Sequence, residues 1–121
     1  AKSISNQRIK NANYFDKELS KIKEITIPPR PKNFRIVYHL YIVFSKRRDE
    51  LYRYCIKKGI EAKIHYPINI HQQPPFRKFY KKNLKTTNSL NNKILSLPIQ
   101  ENLERKEIAK IVSCVRKFYI K

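Results

Sequence analysis

Two of the chain's three histidines, His65 and His71, fall in one stretch, Ile64-His65-Tyr66-Pro67-Ile68-Asn69-Ile70-His71-Gln72-Gln73-Pro74-Pro75-Phe76, together with three of its seven prolines. An imidazole or a phenol held there can hydrogen-bond a polar ligand, and an imidazole exchanges protons near neutral pH. A segment that merely joined two elements would be richer in Gly, Ser and Asp. The third histidine, His39, lies within the apolar run of residues 36–44. Two readings of it stand side by side: a hydrogen-bonded core histidine, or a group that serves a site. Three histidines could in principle ligate zinc, but no H-x3-H spacing on a helix supports that, so no metal is expected. Phosphate-cradling loops need several glycines, and the chain has one, Gly59. No Ser or Cys nucleophile carries a recognisable signature.

The elements that must position these groups follow from periodicity. Residues 2–23 read as a helix whose apolar stripe is Ile9, Ala12, Phe15, Leu19 and Ile22. Pro28, Pro29 and Pro31 end it and leave residues 24–27 as a short strand. Residues 36–44, β-branched and aromatic throughout, predict a strand apolar on both faces and central in a sheet. His39 is then the strongly polar side chain on the best-buried strand. A helix begins at Ser45 or Lys46, with Ser45 as N-cap, and runs to Lys58. Gly59 is the expected left-handed C′ residue. Residues 60–64 return as a strand into the His65 loop. Residues 77–85 are basic, aromatic and irregular. Residues 87–93 make a short helix capped by Thr87 or Asn88, and 94–97 a brief strand stopped by Pro98. Residues 104–119 form a helix with the stripe Ile108, Ile111, Val112, Val115, Phe118 and Tyr119. The order predicts an α+β fold: a small, mostly antiparallel sheet with packed helices.

Length and composition set the frame. At 121 residues the chain is one domain, with no internal repeat or low-complexity segment. No run of about 18 apolar residues exists, so no membrane span is expected. It starts at Ala1, without an initiator Met or a signal-peptide pattern, inside a helical pattern, as expected of a piece of something longer. Cys55 and Cys114 show neither a metal spacing nor a disulfide framework; reduced, partly buried thiols of a cytoplasmic protein are expected. Formal charge is +19. The basic residues are spread almost evenly, and the densest cluster, Arg77-Lys78-Phe79-Tyr80-Lys81-Lys82, is short. Without a groove-reading motif, nucleic acid is not the expected partner, although a stand-alone basic module for nucleic acid or another acidic partner is the competing reading. By pattern alone, this is a basic α+β domain whose His/Tyr/Gln loop could contact a polar ligand.

One series of motifs goes further. Tyr38-His39-Leu40-Tyr41, Arg48-Asp49-Glu50-Leu51, Gly59-Ile60, His65-Tyr66-Pro67 with His71 and Gln73, Leu95-Ser96-Leu97-Pro98, and Glu107-Ile108 opening a last amphipathic helix appear in one order. The series resembles the C-terminal small domain of DegT/StrS-type sugar aminotransferases, over nearly the whole chain. Arg8, Ala12, Phe15 and Leu19 are similar to that family's helix entering the small domain.

The resemblance implies a dimeric pyridoxal-phosphate enzyme of fold type I. Such an enzyme converts nucleotide-linked keto-sugars to amino-sugars for surface polysaccharides or related glycans, with glutamate as the usual amino donor. It also implies that the cofactor, its Schiff-base lysine and the aspartate facing its pyridine nitrogen belong to a large domain whose motifs this chain lacks. No catalytic residue is expected here, and the chain alone is expected to be inactive. His39, His65 and Tyr66 match positions facing substrate, where they would orient a carboxylate or sugar hydroxyl. Pro67, His71 and Gln73 match structural positions of the loop. The alternative role of the whole loop is packing against the large domain. Basic residues around the cleft would draw in a nucleotide diphosphate. Three residues depart from the family's pattern. Asn69 stands where a second Pro is common and Asn88 where an acid is usual. Glu104 replaces a Thr cap, at a cost of about 0.5–1 kcal/mol.

Overall fold

The strand expected over residues 36–44 forms only at its second half. A computed structural model describes residues 2–79 and 83–120. It runs α1 (Lys2–Leu19), β1 (Ile25–Thr26), β2 (Tyr41–Ser45), α2 (Arg48–Lys57), a 3-10 turn (Ile70–Gln72), α3 (Pro74–Arg77), α4 (Lys85–Asn91), β3 (Ile94–Leu97) and α5 (Arg105–Tyr119). Of the basic cluster, Tyr80, Lys81 and Lys82 lie outside the described residues. The sheet order is β1-β2-β3, antiparallel throughout, so β2 is central as expected and the fold is α+β.

The pleat explains which face is covered. Tyr41 pairs with Leu97 and Val43 with Leu95, and all four are buried on the side where the helices pack. Phe15 of α1 meets Tyr41 there, ring centroids 4.8 Å apart. Ile42, Phe44 and Ile94 of the opposite face are only half-buried, so the second face is less covered than the apolar run suggested. α5 packs against α1 and α2, and its stripe Ile108, Ile111, Val112, Val115 and Phe118 is buried as expected. No helix among the described residues is long and apolar enough to cross a membrane.

Several boundaries differ from expectation for identifiable reasons. α1 stops at Leu19, because the Ser20 hydroxyl bonds the Lys17 carbonyl and turns replace the helix. The first strand shrinks to Ile25–Thr26. Residues 36–40 leave the sheet because Tyr38, buried, takes a left-handed φ of 51°. Arg30 holds it there, lying 5.3 Å from the Tyr38 ring centroid and donating twice to Asp16 of α1 at 3.0 Å.

Ser45 is not the N-cap of α2. It ends β2, where its hydroxyl accepts the Arg47 N–H at 3.0 Å and pairs with the Tyr119 hydroxyl; Arg47 takes the cap position. The other end of α2 obeys expectation. Gly59 has φ 73°, its N–H reaches the Ile56 carbonyl, and the Ile60 N–H reaches that of Cys55, a Schellman closure. The strand expected over 60–64 reduces to one antiparallel bridge, Lys63 with Ser96. α4 starts two residues early, at Lys85, with Leu84 rather than Thr87 or Asn88 at its cap. Glu104 is a better start than expected, because the Glu107 carboxylate accepts its N–H at 2.7 Å and completes a capping box. Cys55 and Cys114 are both free and fully within the core. Burial, then the neighbouring Cys114, pushes the Cys55 thiol up to about 12.

Candidate functional site

At the start of β2, the end of β3 and residues 61–65, one cleft of about 310 Å³ opens to solvent. His39, Lys63, His65, Ser96, Arg8 and Gln100 are among the residues that line it. The antiparallel pairing builds it. Where β2 begins, β3 ends, and the Lys63–Ser96 bridge lays residues 63–65 along the far edge of β3. His39 and His65, 26 positions apart in sequence, thus face one space.

His65 is half-buried and its Nδ1 lies 2.9 Å from the Ser96 hydroxyl, which fixes the ring and leaves Nε2 for another partner. Its peptide bond to Tyr66 is cis. The His39 side chain corrects the expectation. It is exposed, in the bend before β2, rather than buried on a strand, because the turn at Tyr38 lifts the chain out of the sheet. The core reading of His39 is therefore set aside. Two ion pairs frame the cleft: Arg8 with Glu101 at 2.8 Å and Lys63 with Glu61 at 3.0 Å. Asn11, buried on α1, donates to the Gln100 carbonyl at 3.1 Å and fixes the floor.

Tyr66 does not join His39. It is 72% exposed and lines a second, larger and mostly apolar cleft of about 800 Å³, with Ile68, Ile70, Phe76 and Phe79. His65 stands at the seam and touches both clefts. Of these two clefts, His71 and Gln73 line the second and not the first. His71 Nε2 lies 3.1 Å from the Asn88 Oδ1 of α4, and the same oxygen accepts from Asn69 Nδ2 at 3.3 Å. The carbonyl of Pro67, itself exposed, accepts from Asn91 at 3.2 Å. The loop is thus tied to α4 by side-chain amides rather than by apolar packing. Among the described residues no group of three or more His, Cys, Asp or Glu could hold a metal.

In sequence, Ser96 and Arg8 stand only as members of motifs, with no site role, and Lys63 not at all; all three line the cleft. Ser96 carries a usable signal, being the one polar residue in the strand Ile94–Leu97 and buried there. Arg8 and Lys63 carry none, because solvated cations are everywhere on this chain.

Comparison with known proteins covers nearly the same span. The model of the DegT/DnrJ/EryC1/StrS aminotransferase family matches residues 1–116. A Streptomyces venezuelae dTDP-3-amino-3,4,6-trideoxy-alpha-D-glucose transaminase is 30% identical over 102 residues, 83% of this chain and 27% of its own length. An Aneurinibacillus thermoaerophilus dTDP-3-amino-3,6-dideoxy-alpha-D-galactopyranose transaminase is 26% identical over 113 residues, 93% of this chain and 31% of its own length. The solved structure of S. venezuelae DesV superposes with a TM-score of 0.91 at 28% identity, over 97% of this chain and 32% of that one. The chain therefore spans about three tenths of the length of the relatives it matches.

Proposed function

The chain belongs to the DegT/DnrJ/EryC1/StrS aminotransferase family, and on that premise we propose that it is the C-terminal small domain of a pyridoxal-phosphate-dependent sugar aminotransferase. The parent protein would convert a nucleotide-linked keto-sugar to an amino-sugar, with glutamate as donor, for surface-polysaccharide or related glycan synthesis. It would act in the cytoplasm as a homodimer. The observation that carries this reading is the shared polar cleft of His39 and His65, which segments far apart in sequence build together.

Among the described residues, those lining the His39–His65 cleft do not fit the cofactor itself. A lysine that condenses with a carbonyl needs a desolvated or cation-flanked amine. Lys63, the lysine of the His39–His65 cleft, is instead more than half exposed and ion-paired with Glu61. A phosphate cradle needs closely spaced glycines, and Gly59 stands alone. In this proposal the cofactor's seat belongs to the rest of the parent protein, which would supply the electron sink.

What this chain contributes is a wall. Ser96 orients the His65 ring, whose free nitrogen can donate to or accept from a sugar hydroxyl or a donor carboxylate. His39 at the opposite rim can do the same. Arg8 and Lys63 are each paired with a carboxylate, Glu101 and Glu61, so they brace the rim rather than charge it. Holding the substrate in a reactive pose is worth orders of magnitude in rate.

The test uses the intact parent protein with nucleotide-linked keto-sugar and glutamate. His39→Ala and His65→Ala should each lower kcat/KM on the order of 10–100-fold while the cofactor absorbance is retained. Unchanged kinetics in both variants would remove the wall. The chain alone, given pyridoxal phosphate and glutamate, should form no pyridoxamine phosphate; formation of that product would overturn the assignment of the cofactor's seat.

A further inference from the structure

The opposite end of the sheet holds a second charged cleft, which the aminotransferase reading does not use. Because β1 and β3 both run antiparallel to β2, their first residues lie beside the last residues of β2. Three turns therefore meet there: the one before β1 carries Lys23, the one after β2 carries Lys46 and Arg47, and the one before β3 carries Lys93. The Ser45 N–H bonds the Lys93 carbonyl at 2.9 Å, and Ile25 pairs with Ser45, so the three turns are tied to one another by backbone. They enclose a cleft of about 610 Å³, a size suited to a small organic ligand. It lies at the other end of β2 from the His39 cleft, a strand that spans about 13 Å at 3.3 Å per residue.

The side chains are arranged for an anion. Among the described residues, none of Lys23, Lys46 and Lys93 has an ion-pair or hydrogen-bond partner for its ammonium group. Arg47, by contrast, is bonded to Glu50 and stacks over Phe118. Among the described residues Glu24 is the one carboxylate that lines the cleft. Three ammonium groups against one carboxylate leave the cleft positive, a field that favours an anion. Between the lysines the wall is aromatic: the half-buried ring of Phe44, on the sparsely covered face of β2, and the ring of Tyr119. A bare phosphate would leave that ring surface exposed to water, and an uncharged aromatic would leave the lysines unanswered.

We propose that this cleft binds a nucleoside phosphate, with the base against Phe44 and the phosphates among Lys23, Lys46 and Lys93. The carboxylate of Glu24 suits a ribose hydroxyl rather than a phosphate. The ammonium groups make charge-assisted contacts to phosphate oxygens, and stacking on Phe44 gives affinity without base identity. The site is independent of the catalytic role proposed above and stands or falls apart from it.

The test is a titration of the full chain with ADP, pyrophosphate and adenosine, followed by amide NMR shifts. Saturable shifts should centre on residues 23–26, 44–47 and 93–94, with ADP binding about tenfold or more tighter than adenosine or pyrophosphate. Lys46→Gln with Lys93→Gln should weaken ADP about tenfold per lysine. Phe44→Leu should weaken ADP but not pyrophosphate. Lys2→Gln with Lys10→Gln, an equal charge change on α1, should do neither. Pyrophosphate binding as tightly as ADP, equal loss in the α1 control, or shifts centred on His39 and His65 would each overturn the proposal. So would a single-stranded oligonucleotide whose shifts spread over the whole basic surface and displace ADP.

Discussion

Replacing Asp16 by alanine tests how the rim of the His39 cleft is held. Asp16 accepts two hydrogen bonds from Arg30, each 3.0 Å, and one from the Tyr41 hydroxyl at 2.7 Å. Tyr41 is fully buried, and burial together with the Asp16 carboxylate keeps its hydroxyl protonated well above the ordinary tyrosine range. The variant leaves that hydroxyl without its acceptor, at about 1.5–3 kcal/mol for a bond to a charged group. The Arg30 pair is roughly a quarter exposed on each side, so its loss adds only about 0.5–1 kcal/mol. The sum is about 3 kcal/mol. At about 2.1 cal/mol/K of unfolding entropy per residue, a 121-residue domain loses about 4 °C per kcal/mol, so Tm should fall by about 12 °C. Circular-dichroism melts and urea titrations measure it. Asp16→Asn, which keeps an acceptor but not the charge, should lose about half as much. A double-mutant cycle with Tyr41→Phe should show coupling of at least about 1 kcal/mol. Amide exchange should rise in residues 28–40 before it rises in the His65 loop. A Tm change below about 2 °C for the alanine variant would refute the clamp.

Alkaline stability should report the buried thiol. An unfolded Cys55 ionises near 9.0, whereas the folded thiol stays protonated to about 12, so the folded state binds the extra proton and stability falls as pH rises through that window. The slope approaches 1.4 kcal/mol per pH unit, and Cys55→Ala should flatten it; an unchanged slope in urea titrations at pH 9–11 would contradict the burial argument. Ser96→Ala should cost about 1 kcal/mol and free the His65 ring, read as a change in tautomer populations by side-chain nitrogen NMR. Gly59→Ala should cost only about 1–2 kcal/mol of left-handed backbone preference, since no atom lies within 4 Å of the added methyl; a loss above about 3 kcal/mol in urea titration would show a hidden clash. Asn69→Pro should change stability by no more than about 0.5 kcal/mol, because Asn69 already has φ −63°, and Tm is the readout.

What periodicity could show, it showed. The stripes of α1 and α5, the central place of β2 and the left-handed Gly59 all follow from local sequence, because the side chains that decide them are neighbours along the chain. The failures share a different cause. Residues 36–40 have every local reason to be a strand, and a guanidinium from residue 30 held by a carboxylate on α1 overrides them. Ser45 has every reason to cap a helix, and its hydroxyl is taken by Arg47 and Tyr119 instead. The candidate site was legible as a set of histidines but not as a geometry. Only the register of β2 against β3 shows that His39 belongs with His65 while Tyr66, the next residue, turns to the other cleft.

The departures in the loop illustrate the same limit and turn it to account. In sequence, Asn69 and Asn88 stand as two separate departures from what the resemblance implies, a proline and an acid. In space they are one, since the amide of Asn69 donates to the amide oxygen of Asn88 at 3.3 Å. A proline restrains a loop by fixing φ in every state of the chain, folded or not. An amide pair restrains it only when folded, through a bond to α4. With a proline at 69 that position would offer residue 88 no side-chain donor, and an acid there would face the nearby His71; with Asn69 in place a neutral acceptor serves both. Asn88 is in turn held by its own donation to Asn83 at 2.8 Å, so the acceptor points at the loop without help from charge. The pair therefore exchanges one form of restraint for another and leaves His65, anchored separately on Ser96, where the cleft needs it.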